Sequence, residues 1–449
     1  MRATAFLTAP WREPLDVLAA FAVEPFALGL ISGGDTARWS YVARAPERTI
    51  IEPGEPARDA ASALAALLGP TEAGEVKGPP FQGGIAGLIA YETGCDTDGL
   101  ELARYEDWPD LAFGLYLALL AFDHQRREVI AVGRGDSEVQ ALARAETALA
   151  WLDAAKPAEP ARRDPLAAWL KAEPPGRYMD GVADVVARIS QGEIFQANIA
   201  RRWRGRLALG ATPFDLMRRL ADQSPAPFAA YLRLPGRAVV SNSPERFLAV
   251  TPQEGGLDAL TQPIKGTAPR GRDPAEDAAL AAVLAVSVKD RAENLMIVDL
   301  MRNDLSRVCQ PGSVRAPRLF EAKAFANVHH LVSTVIGRLA SGHSALDLLR
   351  AAHPPGSITG APKIQAMKVI AALEAPRGPF FGSLVWAGFD GAMDSSVLIR
   401  TCACVEDDNG WRLELRAGGG VVADSEPAVE LAETEAKAAA LVAALTGRG

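Results

Sequence analysis

The sequence predicts a large protein built on extended sheet with Ala-rich helices, on three observations. Its 449 residues exceed one ordinary hydrophobic core, so the chain forms either two domains or one large multilayer sheet domain. Short apolar or alternating segments recur along its whole length, with Ala-rich segments of helical periodicity between them. Hydrophobic residues at 49% and charged residues at 23% describe a globular protein.

Within the first 155 residues, segments 26–31, 111–122 and 128–132 read as strands, and 57–68 and 140–152 as helices. The run FQGGIAGLIAYETG at 81–94 lacks the spacing of a phosphate loop and is read as close backbone packing. From Asp153 to Gly176 the composition turns to Pro, Ala, Glu and Arg, which suggests a connector. The expected organisation is therefore a subdomain at 1–155, a connector at 156–176 and a catalytic domain at 177–446. A helix at 177–190 carries Met179, Val182, Val185, Val186 and Ile189 on one face. In the strand expected at 194–200, Phe195, Ala197 and Ile199 point one way, Gln196 and Asn198 the other. Short strands at 229–234, 238–241 and 246–250 precede two long helices at 274–287 and 289–307. A strand at 397–405, a turn at Asp407-Asp408-Asn409-Gly410 and a return at 411–416 make a hairpin. Asp424 and Ser425 are expected as N-caps of a last helix opened by Pro427, with Glu430, Glu433 and Lys437 on one face.

Several function classes are excluded by composition. A net charge of -8 leaves no basic stripe for nucleic acid. The longest apolar run, 111–122, lies between Asp110 and Asp123 and is too short to span a bilayer. No signal peptide is visible, and Cys95, Cys309, Cys402 and Cys404 are too few and too scattered for a disulfide framework or a zinc knuckle. Cys402 and Cys404 read as packing. A cytoplasmic location is expected.

Chemistry centres on TQPIKGTAPRG at 261–271. A lysine amine is a nucleophile only when neutral, so Lys265 needs burial or positive neighbours, for which Arg270, Arg272 and Lys289 are candidates. Otherwise it is a solvated loop lysine. Glu293 and Glu433, on separate helices without His or Cys companions, suit Mg²⁺; taken alone they are ordinary solvated helix carboxylates. Arg400 sits mid-strand on the face shared with Leu398 and Cys402, either gripping an anion bidentately or exposed at an edge. His329 and His330 read as core histidines satisfied by backbone, and Glu245 as a salt-bridge partner or a general acid.

Taken together, GEIFQANIA (192–200), SPERFL (243–248), PIKGTAPRG (263–271), ENLMIVDLMRND (293–304), VHHLVST (328–334), GSITGAPK (356–363), IRT (399–401), AGGGVVADS (417–425) and ELAETEAK (430–437) resemble the chorismate-utilising enzymes. That family holds anthranilate synthase component I, aminodeoxychorismate synthase component I, and the isochorismate and salicylate synthases. The resemblance spans residues 176–440 in the family's order. It is nearest to the para-aminating group, because anthranilate synthases have alanine in place of Lys265, and isochorismate synthases have a base lysine in place of Gln196.

The resemblance implies a large α+β protein with a four-layer α/β/β/α fold of two orthogonally packed, mainly antiparallel sheets. It implies amination of chorismate at C4 to 4-amino-4-deoxychorismate, towards para-aminobenzoate and folate, with Lys265 adding to C2 and Glu245 protonating the departing hydroxyl. His330 matches a histidine close to the ring. Glu293 and Glu433 match Mg²⁺ ligands, with Glu430 nearby. Arg400, Gly418, Gly419 and Gly420 match the grip on the enolpyruvyl carboxylate, Gly266 and Thr267 match further chorismate contacts, and Lys437 faces the same anion. Phe380 stands where anthranilate enzymes have a tyrosine, and EPFALGLISGG departs from the Leu-Leu-Glu-Ser type motif of tryptophan-binding relatives. With no glutaminase elbow in the sequence, ammonia is expected from solution or from a glutamine amidotransferase subunit, and with no lyase extension the expected product is not aminobenzoate. Competing readings are an anthranilate synthase component, a pyridoxal-phosphate enzyme with Lys265 as its Schiff-base lysine, and a catalytically silent scaffold for an amidotransferase.

Overall fold

Segments that are apolar on both faces belong between layers. Gly84–Ile89 and Leu111–Tyr116 are buried at every position, side by side in one of two sheets. The computed structural model describes residues 3–34, 38–52, 59–71, 78–155, 164–325 and 328–447. In it, a twelve-stranded sheet begins with Ala3–Pro10, Glu128–Gly135, Ala118–Asp123, Trp39–Ala43 and Leu28–Ile31. It continues through Phe228–Leu234, Arg237–Ser243, Thr401–Asp407, Gly410–Val421 and Gln196–Leu207. The ten-stranded sheet runs from Ile264–Pro269 through Val328–Arg338, Gly256–Thr261, Arg246–Gln253, Met393–Val397 and Ser383–Gly388 to Gly84–Ile89, Leu111–Tyr116 and Arg48–Glu52. Each sheet thus draws strands from both sides of residue 155.

The inner faces share one core, in which Phe113, Leu232, Val239, Phe247 and Val385 are buried together. Behind the larger sheet, Glu138–Ala150, Pro213–Gln223 and Pro427–Thr446 cover a second core with Phe122, Met217, Leu415 and Leu441. Val288–Ser306 packs behind the smaller sheet and Ala345–Ala352 packs on it, giving helix, sheet, sheet, helix. No helix among the described residues is long and apolar enough to cross a membrane.

Three expectations change. The run 111–122 is two strands in different sheets, Leu111–Tyr116 and Ala118–Asp123, because its chain turns at Leu117 to pass from one layer to the other. The strand expected at 397–405 is likewise broken: Met393–Val397 belongs to the smaller sheet and Thr401–Asp407 to the larger. Part of the expected connector, Ala167–Ala172, is a strand paired with Gln196–Leu207, its backbone being satisfied by an otherwise open edge. Residues 57 and 58 of the first expected helix lie outside the described residues, and that helix is described from Ala60.

Candidate functional site

Two of these layer crossings lie side by side and carry the site. Arg237–Ser243 leaves the larger sheet and re-enters the smaller one as Arg246–Gln253, with Glu245 at the bend. The neighbouring crossing from Val397 to Thr401, which runs in the opposite direction, contains Arg400. Asn242 N donates to Arg400 O at 3.0 Å, and Val397 N to Glu245 O at 3.1 Å. Arg400 is therefore not mid-strand, as its sequence neighbours suggested. Its backbone is left-handed, φ 49°, because the chain must twist between differently oriented sheets. The crossing puts the guanidinium within electrostatic reach of the Glu245 carboxyl, and burial, the larger effect, lowers its proton affinity.

Lys265 lies in the edge strand Ile264–Pro269 rather than in a free loop. The strand pairs with Val328–Arg338 through a bulge between Lys265 and Thr267, which Gly266 makes at φ 79°. Burial holds the Lys265 amine below its ordinary range. Lys437 adds to that, while Glu293, Glu245 and Glu433 oppose it. The positive neighbour is thus Lys437. Arg270 is paired to Asp277 at 2.8 Å and Arg272 to Glu276 at 2.9 Å, so neither performs the role expected from sequence.

Glu245 is buried, and desolvation pushes its carboxyl up to about 7 against a Ser357 hydrogen bond, the Lys265 charge and the Ile264 N–H. His330 stays neutral near pH 7: burial first, then Arg400, brings it down to about 4. Its Nδ1 lies 3.3 Å from Gly266 O and 3.1 Å from Thr267 Oγ1. The carbonyl only accepts, so Nδ1 carries the proton and Nε2 bears the lone pair. Nε2 is buried with no hydrogen-bond partner among the described residues.

The opposite wall is the Gly-rich end of Gly410–Val421. A Cβ on Gly420 would collide with Gln196 Nε2 and lie 2.9 Å from Lys265 Nζ. One on Gly419 would lie 2.8 Å from Glu430 Oε2, with the Tyr178 hydroxyl and Glu433 carboxyl just beyond. At Gly418 it would collide with the Ile199 carbonyl of the neighbouring strand. Both amide atoms of Gln196 and Oε2 of Glu430 are buried without partners among the described residues, so they are open to polar groups of a ligand, an ion or water.

The last helix starts differently from expectation. Glu426 is its N-cap, with no side-chain bond, and Pro427 follows. Ser425 instead donates to Glu430 Oε1 at 2.7 Å, orienting that carboxylate. Lys437 Nζ reaches Gly418 O at 2.8 Å and Glu433 Oε1 at 2.6 Å. Burial raises the Glu433 carboxyl, but Lys437 outweighs it and the net shift is downward; Glu293 and Glu430 are shifted upward by burial. Among the described residues no three His, Cys, Asp or Glu side chains form a self-sufficient metal cluster. The oxygen-only donor set and the orphaned Glu430 Oε2 fit a cation such as Mg²⁺, which takes one or two carboxylates and completes its shell with water and ligand anions.

Sequence reasoning missed Ser357 and Tyr178. Both sit in recognisable segments, but their contacts come from distant parts of the chain and leave no local spacing. Cys402 and Cys404 are packing residues as expected, fully buried with Sγ atoms 3.8 Å apart.

The sequence pattern of the chorismate binding enzyme family matches residues 29–443. Over 360 residues the chain is 44% identical to aminodeoxychorismate synthase component 1 of Klebsiella aerogenes, covering 79% of this chain and 75% of that protein. It is 38% identical over 439 residues to anthranilate synthase component 1 of Streptomyces coelicolor, covering 92% and 82%. The crystal structure of anthranilate synthase component I from Streptococcus pneumoniae superposes with a TM-score of 0.77 at 27% identity, covering 92% of this chain and 94% of that one.

Proposed function

Because the chain belongs to the chorismate binding enzyme family, we propose that it aminates chorismate at C4, forming 4-amino-4-deoxychorismate for para-aminobenzoate synthesis. The observation that carries this reading is the approach of Lys265 Nζ to Gly420, beside the Gln196 amide and in the electrostatic reach of Glu245. The neutral Lys265 amine attacks C2 of the ring. As the double bond shifts, the C4 hydroxyl leaves with the proton held by Glu245, and water departs. Ammonia then attacks C4, the bond to Lys265 breaks with lysine leaving as the neutral amine it began as, and the one proton shed by the new C4 ammonium restores the Glu245 carboxylic acid. The His330 Nε2 lone pair is available to relay that proton.

Arg400 and the Gly418–Gly420 backbone bind the enolpyruvyl carboxylate, and Gln196, Gly266 and Thr267 orient the ring. Lys437 adds positive charge beside the same anion. Glu293 and Glu433, with Glu430 next to them, are the residues that would hold Mg²⁺, whose charge would neutralise the ring carboxylate. The relatives named component 1 support a separate component, which we take to be a glutamine amidotransferase supplying ammonia.

The test is to incubate the protein with chorismate, Mg²⁺ and ammonium at mildly alkaline pH and identify the product by mass and by coupling to an aminodeoxychorismate lyase. The para-amino product is expected. Anthranilate would overturn the regiochemistry, and no turnover with an added amidotransferase would overturn the reading.

A further inference from the structure

Arg377 is 1% exposed and touches none of the groups assigned above to substrate, yet its guanidinium makes four hydrogen bonds, two of them to carbonyls in segments that carry the site. Nη2 donates to Asn198 O at 2.6 Å, two residues after Gln196. Nη1 donates to Ile358 O at 3.0 Å, one residue after Ser357. Nε and Nη2 grip Glu374 at 3.1 and 3.0 Å, and the second oxygen of that grip also accepts the Ala200 N–H at 2.7 Å. The guanidinium plane lies between the rings of Tyr91 and Phe381, with centroids at 4.6 and 4.5 Å. Beneath it, buried Glu92 accepts the backbone N–H groups of Arg377 and Gly378.

Asn198 N bonds Thr359 O at 2.8 Å, and Gln196 pairs with Ala361, so the strand of Gln196 and the turn of Ser357 are already neighbours. Arg377 is the fork that fixes their separation. A lysine in its place keeps the charge but offers no planar pair of donors to two carbonyls at once.

We propose that Arg377 is a positioning residue: it locks the Ser357 turn against the Gln196 strand, and so sets the geometry with which Ser357 holds Glu245 and Gln196 faces the ring. The inference rests on the proposed amination for its kinetic consequence, but not for the lock itself. The test therefore has two arms, both using the full chain. In the first, amide hydrogen exchange is followed without substrate in Arg377→Lys and in Glu374→Gln, which keeps the guanidinium but weakens its anchor. Peptides covering 196–202 and 355–362 are expected to exchange about tenfold faster or more, while the distant edge strand Ala3–Pro10 is unchanged. Unaltered exchange in both peptides overturns the lock.

In the second arm, Arg377→Lys, Ser357→Ala and the double variant are assayed with chorismate and ammonium. The expected result is a kcat lowered about tenfold in each single variant, KM within about threefold, and a double variant no worse than the poorer single one. Additive losses, or an unchanged kcat in Arg377→Lys, overturn the action through Ser357. Failure of the unaltered protein to turn over chorismate strikes the proposed function instead, and leaves the exchange result to decide the lock.

Discussion

A single proton separates the two carboxyl roles at this site. Glu245, raised to about 7, is protonated where an ordinary glutamate is not, whereas Glu433 is held ionised by Lys437. A general acid must carry its proton, so kcat/KM is expected to fall as pH rises through about 7 in the free enzyme, measurable as a descending limb in a pH–rate profile. Glu245→Gln should lower kcat about 10²–10⁴-fold. The stability effect has the opposite sign. Because the folded pKa exceeds the unfolded one, the folded state loses stability between the ordinary glutamate value of 4.5 and about 7, and does not recover it above. The Gln variant should therefore be more stable than the unaltered protein at pH 8, by up to on the order of 3 kcal/mol, seen in calorimetry as a higher unfolding temperature. Lys265→Ala should abolish para-amination, by at least about 10³-fold, while Mg²⁺-dependent chorismate binding persists in a direct titration; unchanged product formation would exclude the lysine adduct.

At the scale of elements, the strand Gly410–Val421 separates packing from chemistry within three successive residues. A methyl on Gly418 meets backbone that cannot yield, so Gly418→Ala should cost about 1–3 kcal/mol of stability. On Gly420 it meets the ends of two side chains that can move. Gly420→Ala should thus leave the melting temperature near that of the unaltered protein while displacing Lys265 and Gln196, and most of the activity should be lost. Melting curves beside initial rates for both variants check the contrast. The sequence made the glycines, Lys265 and the helix carboxylates legible because they stand in ordered motifs. It did not make Arg400 legible as a bend, since Leu398-Ile399-Arg400-Thr401 has the alternation of a strand. Nor did it show Arg270 and Arg272 turned to Asp277 and Glu276, because local ion pairs compete invisibly with long-range ones.

For the whole molecule, the composition change at 153–176 does not mark a boundary between layers. Five strands from the first 155 residues build one half of the larger sheet, and three build the end of the smaller. Unfolding is expected as one cooperative transition, with calorimetric and van't Hoff enthalpies equal. Phe113→Ala, which empties a site between the sheets, should lower stability by about 3–5 kcal/mol without splitting that transition. Residues 177–449 expressed alone would expose the flanks of Phe228–Leu234 and Ser383–Gly388, which pair with Leu28–Ile31 and Gly84–Ile89 in the full chain. Aggregation of that fragment, relieved by co-expression with residues 1–155, is the expected outcome.

Lys265 and Gln196 reach Gly420 from different sheets, Lys265 from an edge strand and Gln196 from a strand flanked by Gly410–Val421 and Gly360–Ala361. The scaffold therefore holds the proposed nucleophile and the proposed ring contact on separate sheets that face each other across a residue with no side chain. Exchanging either group alters the reacting atoms without re-registering a strand in the other layer. A fold wired this way would let either proposed group be replaced by a single substitution whose structural cost stays on one side of the seam.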